Sequence, residues 1–71
     1  MTITQAEIIL KLAENNINAA ATAREMFMHR NTIDYHIRMV HRNTGLNPLN
    51  FYDLNQLVRK ATAVLDGEHA D

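Results

Sequence analysis

Apolar side chains recur every three or four residues along much of this 71-residue chain, and this spacing constrains its fold more than any other feature. At 100° per residue, Ile33, Ile37 and Val40 fall on one face of a helix. The sequence holds only two glycines and one proline, which disfavours a turn-rich β architecture, and its 46% hydrophobic residues are enough to form a core. The pattern predicts a single all-α domain over residues 1–71, compact and built from four or five helices.

The absence of cysteine excludes disulfides, thiolate metal sites and a cysteine nucleophile. A chain this short obtains only a few kcal/mol from its core, so tight helix packing or oligomerisation must stabilise it. The sequence shows neither an apolar stretch long enough to span a membrane nor a signal peptide. We therefore expect a soluble, cytoplasmic protein.

The first two predicted helices are recognised by their end signals. The first is expected over about residues 5–15, with Thr4 as its N-cap and Glu7 completing a capping box. The second is expected over about residues 19–27, capped by Asn18 and rich in alanine.

The third and fourth helices are longer and more amphipathic. The third helix is expected over about residues 30–43, and Gly45 ends it. His29 most simply caps its start or else packs at the turn. The fourth is expected over about residues 51–65, with Asn50 as N-cap, Gly67 as a stop and a tail over residues 66–71.

The layout of the second and third helices is that of a helix-turn-helix. Ala23 is small enough to let the third helix approach, and Met26 and Met28 flank the turn as apolar anchors. Phe27 stands where glycine is common in such turns, so its ring is expected to pack against the fourth helix.

Polar and cationic groups lie opposite the apolar stripe of the third helix. The chain has a net charge of −1, yet residues 24–42 carry four arginines against two acids. In a helix-turn-helix the N-terminal half of the second helix lies at the base edges of the DNA major groove. Arginine bonds guanine, asparagine bonds adenine and aspartate accepts from cytosine, while hydroxyl groups and further arginines bind phosphates. The candidate DNA-binding residues are Arg30, Asn31, Thr32, Asp34, Tyr35, Arg38 and Arg42.

A known family resembles this region closely. Three short motifs carry the resemblance, and an apolar helix follows them: Thr22-Ala23, His29-Arg30-Asn31-Thr32-Ile33-Asp34-Tyr35 and Thr44-Gly45-Leu46. In this order they are similar to the C-terminal helix-turn-helix of the purine-catabolism regulator (PucR) and sugar-diacid regulator family. The resemblance covers about residues 19–65. It implies a bacterial transcription regulator whose recognition helix carries Arg30, Asn31, Thr32 and Tyr35. His36 stands where the family usually has arginine, which predicts a weaker or pH-dependent cationic contact.

The resemblance also bears on partners. Family members are longer, so this chain is interpreted as an excised fragment or a stand-alone relative, with the fragment favoured. Double-stranded DNA is the expected partner, bound by a homodimer or by part of a longer dimeric regulator, because one module touches few base pairs.

Other classes of function have less support in the sequence. A helical protein-interaction or dimerisation module without DNA binding remains the alternative, and the near-neutral charge favours it. His29, His36 and His41 lie seven and five residues apart rather than four, so no metal site is expected. No glycine-rich phosphate loop or catalytic triad is evident, and neither an enzyme nor a cofactor is predicted.

Overall fold

The structure is a computed structural model that describes residues 1–69, with side chains described through residue 67. Within that range the chain forms four α-helices and no strand, which confirms the all-α prediction. The helices are α1 (Ile3–Glu14), α2 (Ala19–Glu25), α3 (Arg30–Thr44) and α4 (Phe51–His69). None of them combines the length and the hydropathy needed to cross a membrane.

Helix α1 begins two residues earlier than predicted. Thr2 is its N-cap, because the Thr2 hydroxyl accepts a bond from the Gln5 backbone N–H and the Gln5 side-chain oxygen accepts one from the Thr2 N–H, both at 3.1 Å. Thr2 and Thr4 are both followed three residues later by a side chain that can close a capping box. The pair of Thr2 and Gln5 starts the helix two residues earlier, which lengthens a short helix. The predicted Thr4 cap was therefore wrong.

The segment between α1 and α2 reverses the chain through left-handed backbone. Asn16 has φ 55°, as expected for an asparagine at a helix end. Ile17 also has a positive φ, 67°, which is unusual for a β-branched residue. Its side chain packs against the core, and this burial offsets the backbone strain.

The ends of α2 and α4 also differ from the predicted ones. Helix α2 ends at Glu25, two residues early, because Met26 and Phe27 belong to the turn. Helix α4 continues through Gly67 to His69, so the predicted stop and most of the predicted tail were wrong. Gly67 does not adopt the left-handed φ that ends a helix, whereas Gly45 does, at φ 76°. Residues 70–71 of the predicted tail lie outside the described residues.

Helix α1 is the centre of the packing. Its buried residues span an arc of about 160° at 100° per residue, wide enough to face neighbours on two sides. It packs most extensively on α4 and also contacts α2 and α3. Among the described residues, α4 makes its helix-to-helix contacts with α1 alone. The core joins side chains from all four helices: Ala6, Ile8, Ile9, Leu12, Ala19, Ala23, Ile33, Ile37, Val40, Leu54, Leu57 and Ala61.

Candidate nucleic-acid interface

A tight turn over residues 26–29 joins α2 to α3. The Met28 N–H donates to the Ala23 carbonyl at 2.9 Å, and the Met26 N–H donates to the Thr22 carbonyl at 3.0 Å. Thr22 and Ala23 are buried, and the small Ala23 side chain lies on the helix that packs against α3. The two helices are thus held as a compact pair, as the predicted helix-turn-helix requires.

Phe27 does not pack against α4, and this prediction was wrong. Its side chain is 96% exposed and its backbone has φ 54°. Met26 and Met28 pack against the core on either side of it, as expected. The residue between them points outward, and α4 lies against α1 rather than beside this turn.

His29 caps α3, as predicted. Its ring Nδ1 accepts a hydrogen bond from the Asn31 backbone N–H at 3.1 Å. A ring nitrogen that accepts carries no proton, so this geometry corresponds to the neutral ring with its hydrogen on Nε2. The cap holds the first turn of α3 in place, where three of the candidate DNA-binding residues lie.

Helix α3 has two distinct faces. Ile33, Ile37 and Val40 are buried, which confirms the predicted apolar stripe. Of the seven candidate DNA-binding residues, Asp34 is half-buried and the other six are exposed. The exposed six are Arg30, Asn31, Thr32, Tyr35, Arg38 and Arg42. The structure therefore brings all seven onto the outer surface of one helix, available to a ligand.

Arg30 and Asp34 form an ion pair within this surface. The Arg30 Nε donates to Asp34 Oδ1 at 3.1 Å, and the two side chains are 54% and 37% exposed. Each residue was predicted to make its own base contact, and the pair between them was not predicted. Opposite charges four residues apart on a helix were the signal that could have predicted it.

The His36 side chain, next to Tyr35, contacts helix α1. The His36 Nδ1 lies 3.4 Å from the Gln5 side-chain nitrogen. Since the Gln5 oxygen already accepts the Thr2 N–H, its nitrogen is the donor in this contact. The His36 ring also meets the half-exposed Tyr35 ring edge-on, with centroids 5.3 Å apart. The residue that replaces the usual arginine thus contacts α1 instead of standing free on the outer surface.

The rest of the described surface holds a groove but no metal-binding cluster. In the part of the chain that the structure describes, no three histidine or acidic side chains converge to hold a metal ion. On the α1–α4 side, a groove of about 300 Å³ is lined mainly by apolar residues, including Ile17, Phe51 and Val58. Nearby in the chain, Leu49, Phe51 and Tyr52 are each more than half exposed.

Comparison with known protein families identifies the domain. The family model of the PucR C-terminal helix-turn-helix domain matches residues 6–59. The chain belongs to this family. The match begins within α1, includes all of α2 and α3 and ends within α4. No curated protein and no solved structure matches the chain.

Membership of the PucR helix-turn-helix family gives the coarse function. Domains of this family are DNA-binding parts of transcription regulators and are not catalytic. The matched region holds all seven candidate DNA-binding residues and the histidine cap that precedes them.

Proposed function

We propose that this PucR-type domain binds double-stranded DNA sequence-specifically, with α3 in the major groove. The observation that carries the proposal is the outer face of α3, which holds polar and cationic side chains while the opposite face is buried. The N-terminal half of such a helix reaches base edges.

The side chains of α3 divide by chemistry into two roles. Arg30 and Asn31, in the first turn, carry the donors that pair with guanine and adenine, and Asp34 and Tyr35 lie one turn later. Thr32 and Tyr35 offer hydroxyl groups to phosphates. Arg38 and Arg42 add cations farther along the same helix, and their contribution is mainly to affinity.

The charge distribution supports this surface. The whole chain has a net charge of −1, but residues 24–42 carry a net charge of +2. Phosphate attraction depends on local charge within a Debye length of about 8 Å at physiological salt, so the local excess matters more than the total. One domain covers few base pairs, and we propose that two copies bind half-sites about one helical turn apart.

Salt-dependent binding tests the proposal directly. Fluorescence anisotropy of a labelled random duplex, at two salt concentrations, would measure affinity for the wild type and the Arg30→Ala/Arg38→Ala variant. We expect steep weakening with salt in the wild type. In the variant we expect at least tenfold weaker binding at low salt. The salt slope should be smaller by about one, since Arg38 is the one of the two residues assigned to phosphate and each phosphate contact contributes about 0.9.

A matched control removes two cations elsewhere. Arg59 and Lys60 are exposed on α4, which contacts α1 and not α3 in the described structure. Arg59→Ala/Lys60→Ala changes the net charge equally and is expected to weaken binding much less. Equal losses in the two variants would show attraction by net charge without docking through α3, and no binding at low salt would refute the proposal.

The second candidate is a protein-interaction module, and one observation favours it. Leu49, Phe51 and Tyr52 are 54%, 65% and 75% exposed, and Phe51 also lines the groove between α1 and α4. Exposed apolar clusters of this kind often mark protein contacts. This candidate predicts concentration-dependent self-association, measured by sedimentation, without salt-dependent DNA affinity.

A further inference from the structure

We propose that Asp34 is a positioning residue for Arg30, which it aims at a single guanine, rather than a reader of cytosine in its own right. The inference rests on the proposed function and deepens it, because it names which base one side chain selects and which neighbour makes that selection possible.

The geometry of the pair carries the first step. The Asp34 carboxylate accepts from Nε of Arg30, at 3.1 Å, and not from the two terminal nitrogens of the guanidinium. Within the described residues, those terminal nitrogens have no other hydrogen-bond or ion-pair partner. Arg30 is the more exposed of the two side chains, so it is open to a ligand while it is paired with Asp34.

The chemistry of guanidinium gives the second step. Its five N–H donors lie in one plane, and the two terminal nitrogens together form a fork. When Nε is held by a carboxylate, the fork remains available for two parallel hydrogen bonds. Guanine presents O6 and N7 side by side in the major groove, and arginine bonds both. A base with one acceptor there satisfies only half of the fork.

Conformational entropy gives the third step. A free arginine loses much of its rotamer freedom when it binds. The i, i+4 contact to Asp34 restricts Arg30 before DNA arrives, so less freedom remains to be lost at a correctly placed guanine. A phosphate, which offers acceptors in many directions, gains less from this restriction than guanine does.

Electrostatics opposes a carboxylate at this position, which makes the inference testable. A negative charge on the DNA-facing helix weakens attraction to every phosphate nearby. Removing Asp34 should therefore leave general DNA affinity unchanged or raise it. If Asp34 positions Arg30, the same change should lower the preference for guanine.

The experiment is selection from a randomised duplex library followed by sequencing, with library affinity measured in parallel. We expect the wild type to enrich a motif that contains a guanine, and Arg30→Ala to lose the preference at that position. Asp34→Ala should reduce the preference for guanine at the same position about tenfold. It should bind the unselected library at least as tightly as the wild type does. Asp34→Asn, which keeps an oxygen acceptor for Nε, should retain part of it.

The double variant separates positioning from direct reading. If Asp34 acts through Arg30, Arg30→Ala/Asp34→Ala should have the base preferences of Arg30→Ala alone. If Asp34 reads cytosine itself, its removal should erase the preference at another position and the two losses should add. Asp66→Ala, which removes an exposed carboxylate from α4, is the control for charge and should leave the motif unchanged.

The outcomes separate DNA recognition by the domain from the positioning role of Asp34. A wild type that enriches no motif refutes the proposed function itself. A wild-type motif that Asp34→Ala leaves intact, or alters only at a position that Arg30 does not affect, overturns the positioning role and leaves the proposed function standing. Circular dichroism of each variant checks that the substitutions of Arg30 and Asp34, on the surface of α3, leave the fold in place.

Discussion

Phe27 is the residue at which backbone geometry and side-chain chemistry conflict most in this domain. A left-handed φ of 54° costs an L-residue about 1–2 kcal/mol, and glycine avoids this cost. Burial of an apolar side chain offsets such strain at Ile17, but the Phe27 ring is 96% exposed. The free energy of folding therefore gains little from this side chain.

We expect Phe27→Gly to leave the free energy of unfolding unchanged or to raise it by up to about 1 kcal/mol. The relief of strain exceeds the extra chain entropy of glycine, about 0.5–1 kcal/mol. Urea unfolding followed by circular dichroism measures the change. A loss of 3–5 kcal/mol, the usual cost of deleting a buried phenylalanine, would contradict the exposed position. Phe27→Ala is the control, because it deletes the ring without relieving the backbone.

The two glycines both stand near the ends of helices but have different backbone conformations. Gly45 is the C-cap of α3 with φ 76°, where its N–H donates to the His41 carbonyl at 2.9 Å. Gly67 lies inside α4 without a left-handed φ. An added Cβ would meet nothing within 4 Å at either position, so crowding does not distinguish them.

The same substitution should therefore have opposite effects at the two sites. Gly67→Ala should raise the free energy of unfolding by up to about 1 kcal/mol, because alanine is the better helix former. Gly45→Ala should lower it by about 1 kcal/mol or more, because alanine resists the left-handed conformation. Thermal unfolding of both variants measures the pair. Stabilisation by Gly45→Ala, or a loss on Gly67→Ala, would contradict the helix ends described for α3 and α4.

Helix α1 connects two parts of the molecule whose helices make no contact with each other among the described residues. Helix α4 packs against α1, and the helix-turn-helix of α2 and α3 also contacts α1. A chain of 71 residues has little stability to divide among separate units. We therefore expect the helix-turn-helix and α4 to unfold together.

Leu57→Ala tests this coupling, because Leu57 is fully buried on α4. The expected loss is about 2–5 kcal/mol of unfolding free energy. Hydrogen exchange should show the same loss of protection for amides of α3 as for amides of α4. The control is the exposed neighbour Gln56. Gln56→Ala should change neither the free energy of unfolding nor the protection of the α3 and α4 amides. Loss of protection confined to α4 would contradict a single cooperative unit. If Leu57→Ala does not fold, the milder Leu57→Val gives the same comparison.

Most of the local architecture could be predicted because its causes lie within four residues along the chain. The caps Asn18, His29 and Asn50 each accept a backbone N–H two or three residues ahead, and all three were predicted. The Thr4 cap was wrong because two overlapping pairs satisfied the same local rule. The pattern alone could not rank them.

Apolar spacing and capping are local properties of the chain, so they were enough to predict the helices, the turn between α2 and α3, and the inward and outward faces of α3. The central place of α1, the exposure of Phe27 and the contact of His36 with Gln5, which are 31 residues apart, follow from tertiary packing. These depend on which helices become neighbours. Burial of apolar surface over the whole chain drives that choice, so no single segment specifies it.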